Sequence, residues 1–183
     1  MRIHAKHLLS CLAGLVVALS SAACQSPVQN RNPVGEEFPA VVGDSLDGRE
    51  WRLPTALAGR PAVVLVGYAQ DAQFDADRWL YGLLQAELPL RILELPTLPG
   101  LFPSVFSSKI DSGMRSGIPA EDWGSVVTVY DSQAERLVNF TGNTSPRNIR
   151  VLLLDAAGRV LWFHDRGFSA GKLLELQRAL PRD

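Results

Sequence analysis

The sequence is poor in the side chains on which much enzyme chemistry depends. It contains two cysteines, Cys11 and Cys24, and three histidines, His4, His7 and His164. His4, His7 and Cys11 fall in an N-terminal stretch with the marks of a removable targeting segment, which leaves one cysteine and one histidine. A lone cysteine forms no intrachain disulfide and has no resolving partner, so dithiol exchange within the chain is excluded. Lysine is also scarce: Lys6, Lys109 and Lys172 are the only lysines among 18 basic residues, a bias that suggests no function. With 19 acidic residues and a formal net charge of −1 there is no basic excess of the kind that nucleic-acid binding requires. There is no phosphate-cradling glycine run, internal repeat or low-complexity block. No cofactor and no metal centre is expected.

What is present begins with the targeting segment, residues 1–23. Arg2 and Lys6 open it without an acidic residue, and Leu8 to Ala23 is an apolar run shorter than the ~20 residues that a membrane-spanning helix needs. It ends in Ser21-Ala22-Ala23-Cys24, which resembles the lipobox of bacterial lipoproteins, although Ser21 stands where that motif prefers leucine. The resemblance implies lipid on Cys24, attachment to a membrane of the bacterial envelope, and, with Gln25 rather than aspartate next, the outer membrane facing the periplasm. The alternative is an ordinary secretory peptide cut after Ala23. Residues 24–40 are polar and carry Pro27, Pro33 and Pro39, so they read as a lipidated cysteine and tether ahead of a domain spanning 41–183.

Within that domain the stretch Arg60 to Trp79 is the organising element. Val63, Val64, Leu65 and Val66 form an unbroken aliphatic run, as in a strand buried on both faces at the centre of a parallel sheet. A loop follows from Gly67 to Gln73, then a helix to about Glu87 with Phe74, Trp79, Leu80, Leu83 and Leu84 on its apolar face. Val41-Val42 and Trp51-Arg52-Leu53 flank the turn pair Asp47-Gly48 and predict a hairpin. Leu90 to Leu95 alternates as a strand ended by Pro96. An irregular helical region between Pro99 and Pro119 is expected to bury Val105, Phe106, Ile110 and Met114. Val126 to Tyr130 is a third strand, Ser132 to Phe140 a short helix, and Val151 to Asp155 with Val160 to Phe163 a second hairpin. Ser169 caps a last helix with Leu173, Leu174, Leu176 and Leu180 on its face.

This order resembles the thioredoxin-like superfamily, and in particular its peroxiredoxin-like branch. Val42-Gly43-Asp44, Leu46-Asp47-Gly48, Leu53-Pro54 and Leu57 to Val66 look like its opening, and Leu152 to Trp162 looks like its closing hairpin. The resemblance implies a three-layer α/β/α fold with an N-terminal β-hairpin extension. Redox members place a cysteine in the loop after the central strand, where Ala69 to Gln73 has none. They also place a cis-proline just before the fourth strand, where Ile149 stands here, with Pro146 three residues early. Thiol activities are therefore not carried over. Asp77-Arg78-Trp79, Gly113 to Pro119 and Val151 to Trp162 are similar to the mitochondrial ATP-synthase assembly factors that attend membrane subunit 6. That resemblance implies help to another protein's assembly by surface contact, with a protein partner and no covalent chemistry.

Tyr68, Gln70, Asp71, Arg115 and His164 are the candidate surface site. His164 beside Asp165-Arg166 has the makings of an acid/base group, or of a surface residue at a strand end. Arg115 suits carboxylate binding, or a structural salt bridge. Asp71, Asp75 and Asp77 read as loop and helix-start acids rather than cation ligands, because no glycine-turn pattern follows. Two functions are compatible with these residues. One is a membrane-tethered, redox-inactive assembly factor or chaperone; the other is an enzyme or small-ligand binder that uses the loop after the central strand with His164.

Overall fold

The computed structural model describes residues 27–100 and 104–181. Seven strands form one mixed sheet: β1 (Val41–Ser45), β2 (Glu50–Leu53), β3 (Ala62–Gly67), β4 (Arg91–Leu98), β5 (Val127–Tyr130), β6 (Arg150–Leu154) and β7 (Val160–His164). Their order across the sheet is β2-β1-β5-β4-β3-β6-β7. Among the described residues four α-helices cover it: α1 (Gln73–Gln85), α2 (Ser104–Gly117), α3 (Asp131–Thr141) and α4 (Ala170–Ala179).

The aliphatic run of β3 is wholly buried because it feeds two cores at once. Successive side chains of a strand point to opposite faces. Val63 and Leu65 join Ala76, Trp79 and Leu83 of α1 and Leu176 of α4, whereas Val64 and Val66 join Ala134, Leu137 and Phe140 of α3. The three layers are thus α/β/α. The expected all-parallel setting of β3 is corrected: β3 is parallel to β4 but antiparallel to β6, and β4 is the middle strand of seven. Both hairpins form as expected, β1 with β2 and β6 with β7. Glycine is required at the bend of the second, where Gly158 has φ +87° and a Cβ would sit 2.8 Å from Pro54.

Several local expectations give way to tertiary context. β4 continues through Pro96, which is in register with Gly67, the last residue of β3, so the N–H that proline lacks falls where that ladder ends. Phe74 and Leu84 lie on the outside of α1 rather than in the core, and Leu174 is on the outside of α4. A helix buries one stripe only, and Trp79 and Leu83 occupy it. In α2, Ile110 and Met114 are half-buried; Val105 and Phe106 lie outside the described side chains.

The expected tether is also corrected, because the chain is built into the domain from Val28 onward. Val28 N donates to Asn143 Oδ1 at 2.7 Å, and Asn143 N donates back to Val28 O at 2.9 Å. Gly35 N donates to Val160 O, Val160 N to Glu36 O, and Phe38 N to Gly158 O, so the segment satisfies groups at the outer edge of β7. Phe38 is buried edge-on against Phe140, with ring centroids 5.9 Å apart. Its polar composition hides this role because the segment is held mainly by backbone hydrogen bonds and one aromatic anchor.

Candidate functional site

The end of the sheet where β3 stops collects four segments: the turn Gln70–Ala72 with the start of α1, the loop before β6, the loop after β7, and the N-terminal strap. Asp75, in the first turn of α1, joins three of these. One carboxylate oxygen accepts from Ile149 N at 3.0 Å and the other from Phe168 N at 2.7 Å. Each oxygen is thus engaged by a backbone N–H in a buried setting, and Asp75 serves to join these segments rather than to form a cation site with Asp71 and Asp77.

At the centre of this end lies Arg150, a residue the sequence reading passed over. It opens the buried strand β6 and is 0% exposed. Nε donates to Gly142 O (3.2 Å), Nη1 to Ser145 O (3.1 Å) and Asn148 O (2.7 Å), and Nη2 to Thr144 O (2.6 Å) and Asn30 Oδ1 (3.0 Å). Five donors meet five acceptors, which is the full capacity of a guanidinium. Burial lowers the Arg150 pKa, partly offset by Tyr68 and Asp165, but an arginine starts so high that it stays charged at neutral pH. The sequence did carry a signal: a charged residue between Ile149 and Val151-Leu152-Leu153-Leu154 must be paired if the run is buried.

Tyr68 lies beneath this clamp, with the Arg150 Cζ 5.2 Å from its ring centroid and its hydroxyl 2.8 Å from Thr141 Oγ1. Burial pushes the phenol well above its usual range, against the pull of Thr141 and Arg150. Asn30 of the strap completes the network. Its Oδ1 accepts from Arg150 and Thr144 Oγ1, while its Nδ2 donates to Asp165 Oδ2 at 2.8 Å. Ile149, at the position of the cis-proline that the resemblance implies, is buried against Gly67: a Cβ on that glycine would lie 3.1 Å from Ile149 Cδ1 and 3.9 Å from Ala72. Aliphatic packing thus fills the mouth of the loop. The cis peptide bond among the described residues is Leu53-Pro54, in another part of the fold.

The five expected site residues do not converge. Tyr68 packs on the α3 side of the sheet. His164 lies on the other side, stacked on Trp162 (5.8 Å, 26°) and tilted against Trp79 (5.9 Å), with Nε2 2.8 Å from Gly167 O. Gln70 and Asp71 are exposed between them, and Asp71 pairs with Arg147 at 3.3 Å. Arg115 is at the opposite end, where Nε donates to Leu46 O at 2.7 Å and the guanidinium lies over Trp123 at 5.8 Å. It holds a carbonyl and an aromatic face rather than a carboxylate. A groove of about 800 Å³ at that same end is lined by Trp51, Arg60, Leu84, Arg91 and Glu121, among others, and by none of the five.

No family model and no curated protein matches this sequence. Solved structures do match the fold. A putative electron transfer protein from Aquifex aeolicus is 16% identical, with a TM-score of 0.59 over 80% of this chain and 95% of that one. The thiol peroxidase of Chromobacterium violaceum is 12% identical, with a TM-score of 0.56 over 83% and 90%. Copper-bound yeast Sco1 is 12% identical, with a TM-score of 0.52 over 81% and 92%. At these identities the likeness concerns the fold alone, and the fold is thioredoxin-like.

Proposed function

We propose that this chain is a redox-inactive thioredoxin-fold protein, tethered to the bacterial envelope through Cys24, that acts by protein–protein contact as an assembly factor or chaperone. The observation that carries this reading is the packed state of the sheet end. Arg150 has no free donor, Tyr68 is capped, Ile149 fills the loop mouth, and no thiol lies among the residues there. Chemistry on a substrate needs an open pocket and an unspent reactive group, and this end supplies neither. The outside of α1 instead shows Phe74, Tyr81 and Leu84 at 75%, 68% and 56% exposure, large apolar side chains of the kind that contact surfaces use.

Two measurements test the reading. Insulin reduction and peroxide turnover by the unlipidated mature chain, with dithiothreitol as reductant, are expected to stay at background; turnover above it refutes the non-enzymatic role. A photo-crosslinking residue at Leu84, in cells, is expected to give one discrete protein adduct that is lost with Tyr81→Asp. Absence of any discrete adduct counts against contact through α1.

A further inference from the structure

We infer that the sheet end bearing Phe74 rests against the surface of the phospholipid bilayer, and that the opposite end, with the groove, faces away from it. This orientation rests on lipid attachment at Cys24 and follows first from where the chain leaves the domain. Val28 is fixed by reciprocal hydrogen bonds to Asn143, and two residues later Asn30 is bonded to Thr144, Arg150 and Asp165. These partners lie in the loops before β6 and after β7, apart from Arg150, which opens β6 at the same end. Those loops are at the carboxyl end of β3, because Arg150 is in register with Val66 and His164 with Val151. The first turn of α1, with Phe74, is at the same end, since Asp75 bonds Ile149 N and Phe168 N.

The segment between lipid and domain is short. Four residues from Cys24 to Val28 span at most about 14 Å when fully extended, whereas a domain of this size has a radius of gyration of about 15 Å. A lipid on Cys24 therefore holds the exit point too near the bilayer for the far end to turn toward it. Arg60, just before β3, is separated from the exit by the length of that strand, about 20 Å.

This end also exposes groups suited to a bilayer surface. Among the described residues Phe74 is the most exposed of the large apolar side chains, and an aromatic ring at headgroup depth suits an interfacial contact. Arg147, in the loop before β6, and Arg166, in the loop after β7, are at the same end, with side chains 81% and 89% exposed. Their ion pairs, with Asp71 at 3.3 Å and Asp165 at 3.9 Å, are loose enough for both cations to turn toward anionic headgroups. Tyr81 and Leu84 lie two to three turns further along α1, away from the lipid, where a protein partner can reach them.

The test uses the full chain, processed and lipidated in cells and reconstituted into phosphatidylethanolamine/phosphatidylglycerol vesicles that carry a headgroup nitroxide. A nitrobenzoxadiazole label is placed on Phe74→Cys, on Gln70→Cys at the same end, or on Arg60→Cys at the other; lipid already occupies Cys24. Quenching at positions 74 and 70 is expected to exceed that at 60 by about threefold or more. Equal or stronger quenching at position 60 in vesicle-bound protein overturns the orientation and leaves the anchor standing. Processed protein recovered in the soluble fraction overturns the anchor, and the orientation falls with it.

Discussion

Replacing Arg150 with methionine keeps the length of the apolar stem and removes all five donors. Five acceptors then lose one hydrogen bond each, the carbonyls of Gly142, Thr144, Ser145 and Asn148, and Asn30 Oδ1, although Gly142 O, Ser145 O and Asn30 Oδ1 keep a second donor. A hydrogen bond to a charged group is worth about 1.5–3 kcal/mol, but the sum is not additive, and the half-buried loop carbonyls can recover water. Relief from burying a guanidinium offsets part of the loss. The net expectation is about 3–4 kcal/mol of destabilisation, at the high end for a point change. Urea unfolding of the mature chain carrying Cys24→Ala, followed by tryptophan fluorescence, reads this through Trp79, which is fully buried. With a slope of about 2 kcal/mol per molar urea, the midpoint should fall by about 1.5–2 M. Arg150→Lys, which keeps the charge but not the planar fork, should lose roughly half as much. A midpoint within about 0.5 M of the parent for Arg150→Met would refute the view that this guanidinium holds the sheet end together.

Other outcomes follow from the same contacts. Gly142 has φ +74°, and a Cβ there would run into Gln29 O, so Gly142→Ala should cost about 1–3 kcal/mol and speed amide exchange in residues 28–38; unchanged exchange would separate the strap from this glycine. Val64→Asp places an unpaired charge at a fully buried position, costs several kcal/mol and should abolish cooperative unfolding. Burial raises the Glu94 pKa, with Asp77 and Asp122 adding to the rise against a bond from Gln73. The folded state therefore holds this proton more tightly than the unfolded one. Stability from it is present below the ordinary glutamate range and is lost as pH climbs through the folded pKa. Glu94→Gln should thus raise the thermal midpoint at pH 7 and leave it little changed at pH 4. An equal effect at both would sink the assignment.

The sequence by itself determined the elements whose signal is local. The aliphatic run of β3, the Asp47-Gly48 turn, the Ser169 cap that accepts from Lys172 N and the closing hairpin are each written in a few adjacent residues. The missing thiol was also legible, since composition needs no coordinates. What only the tertiary structure decided is every relation between distant segments. Tyr68 and His164 were candidates for one pocket, yet they lie on opposite faces, because strand pairing assigns each side chain its face. The Pro-bearing stretch before Val41 looked like free tether, but the edge of β7 offers it backbone partners that no composition records. Arg150 was passed over as one arginine among many, and Phe74 was placed in a core it does not enter. Burial is a property of what packs alongside: the helix that seats Trp79 on its inner stripe leaves Phe74 on its outer side in solvent, and the carbonyls that hold Arg150 come from a loop whose shape exists only once the chain has folded.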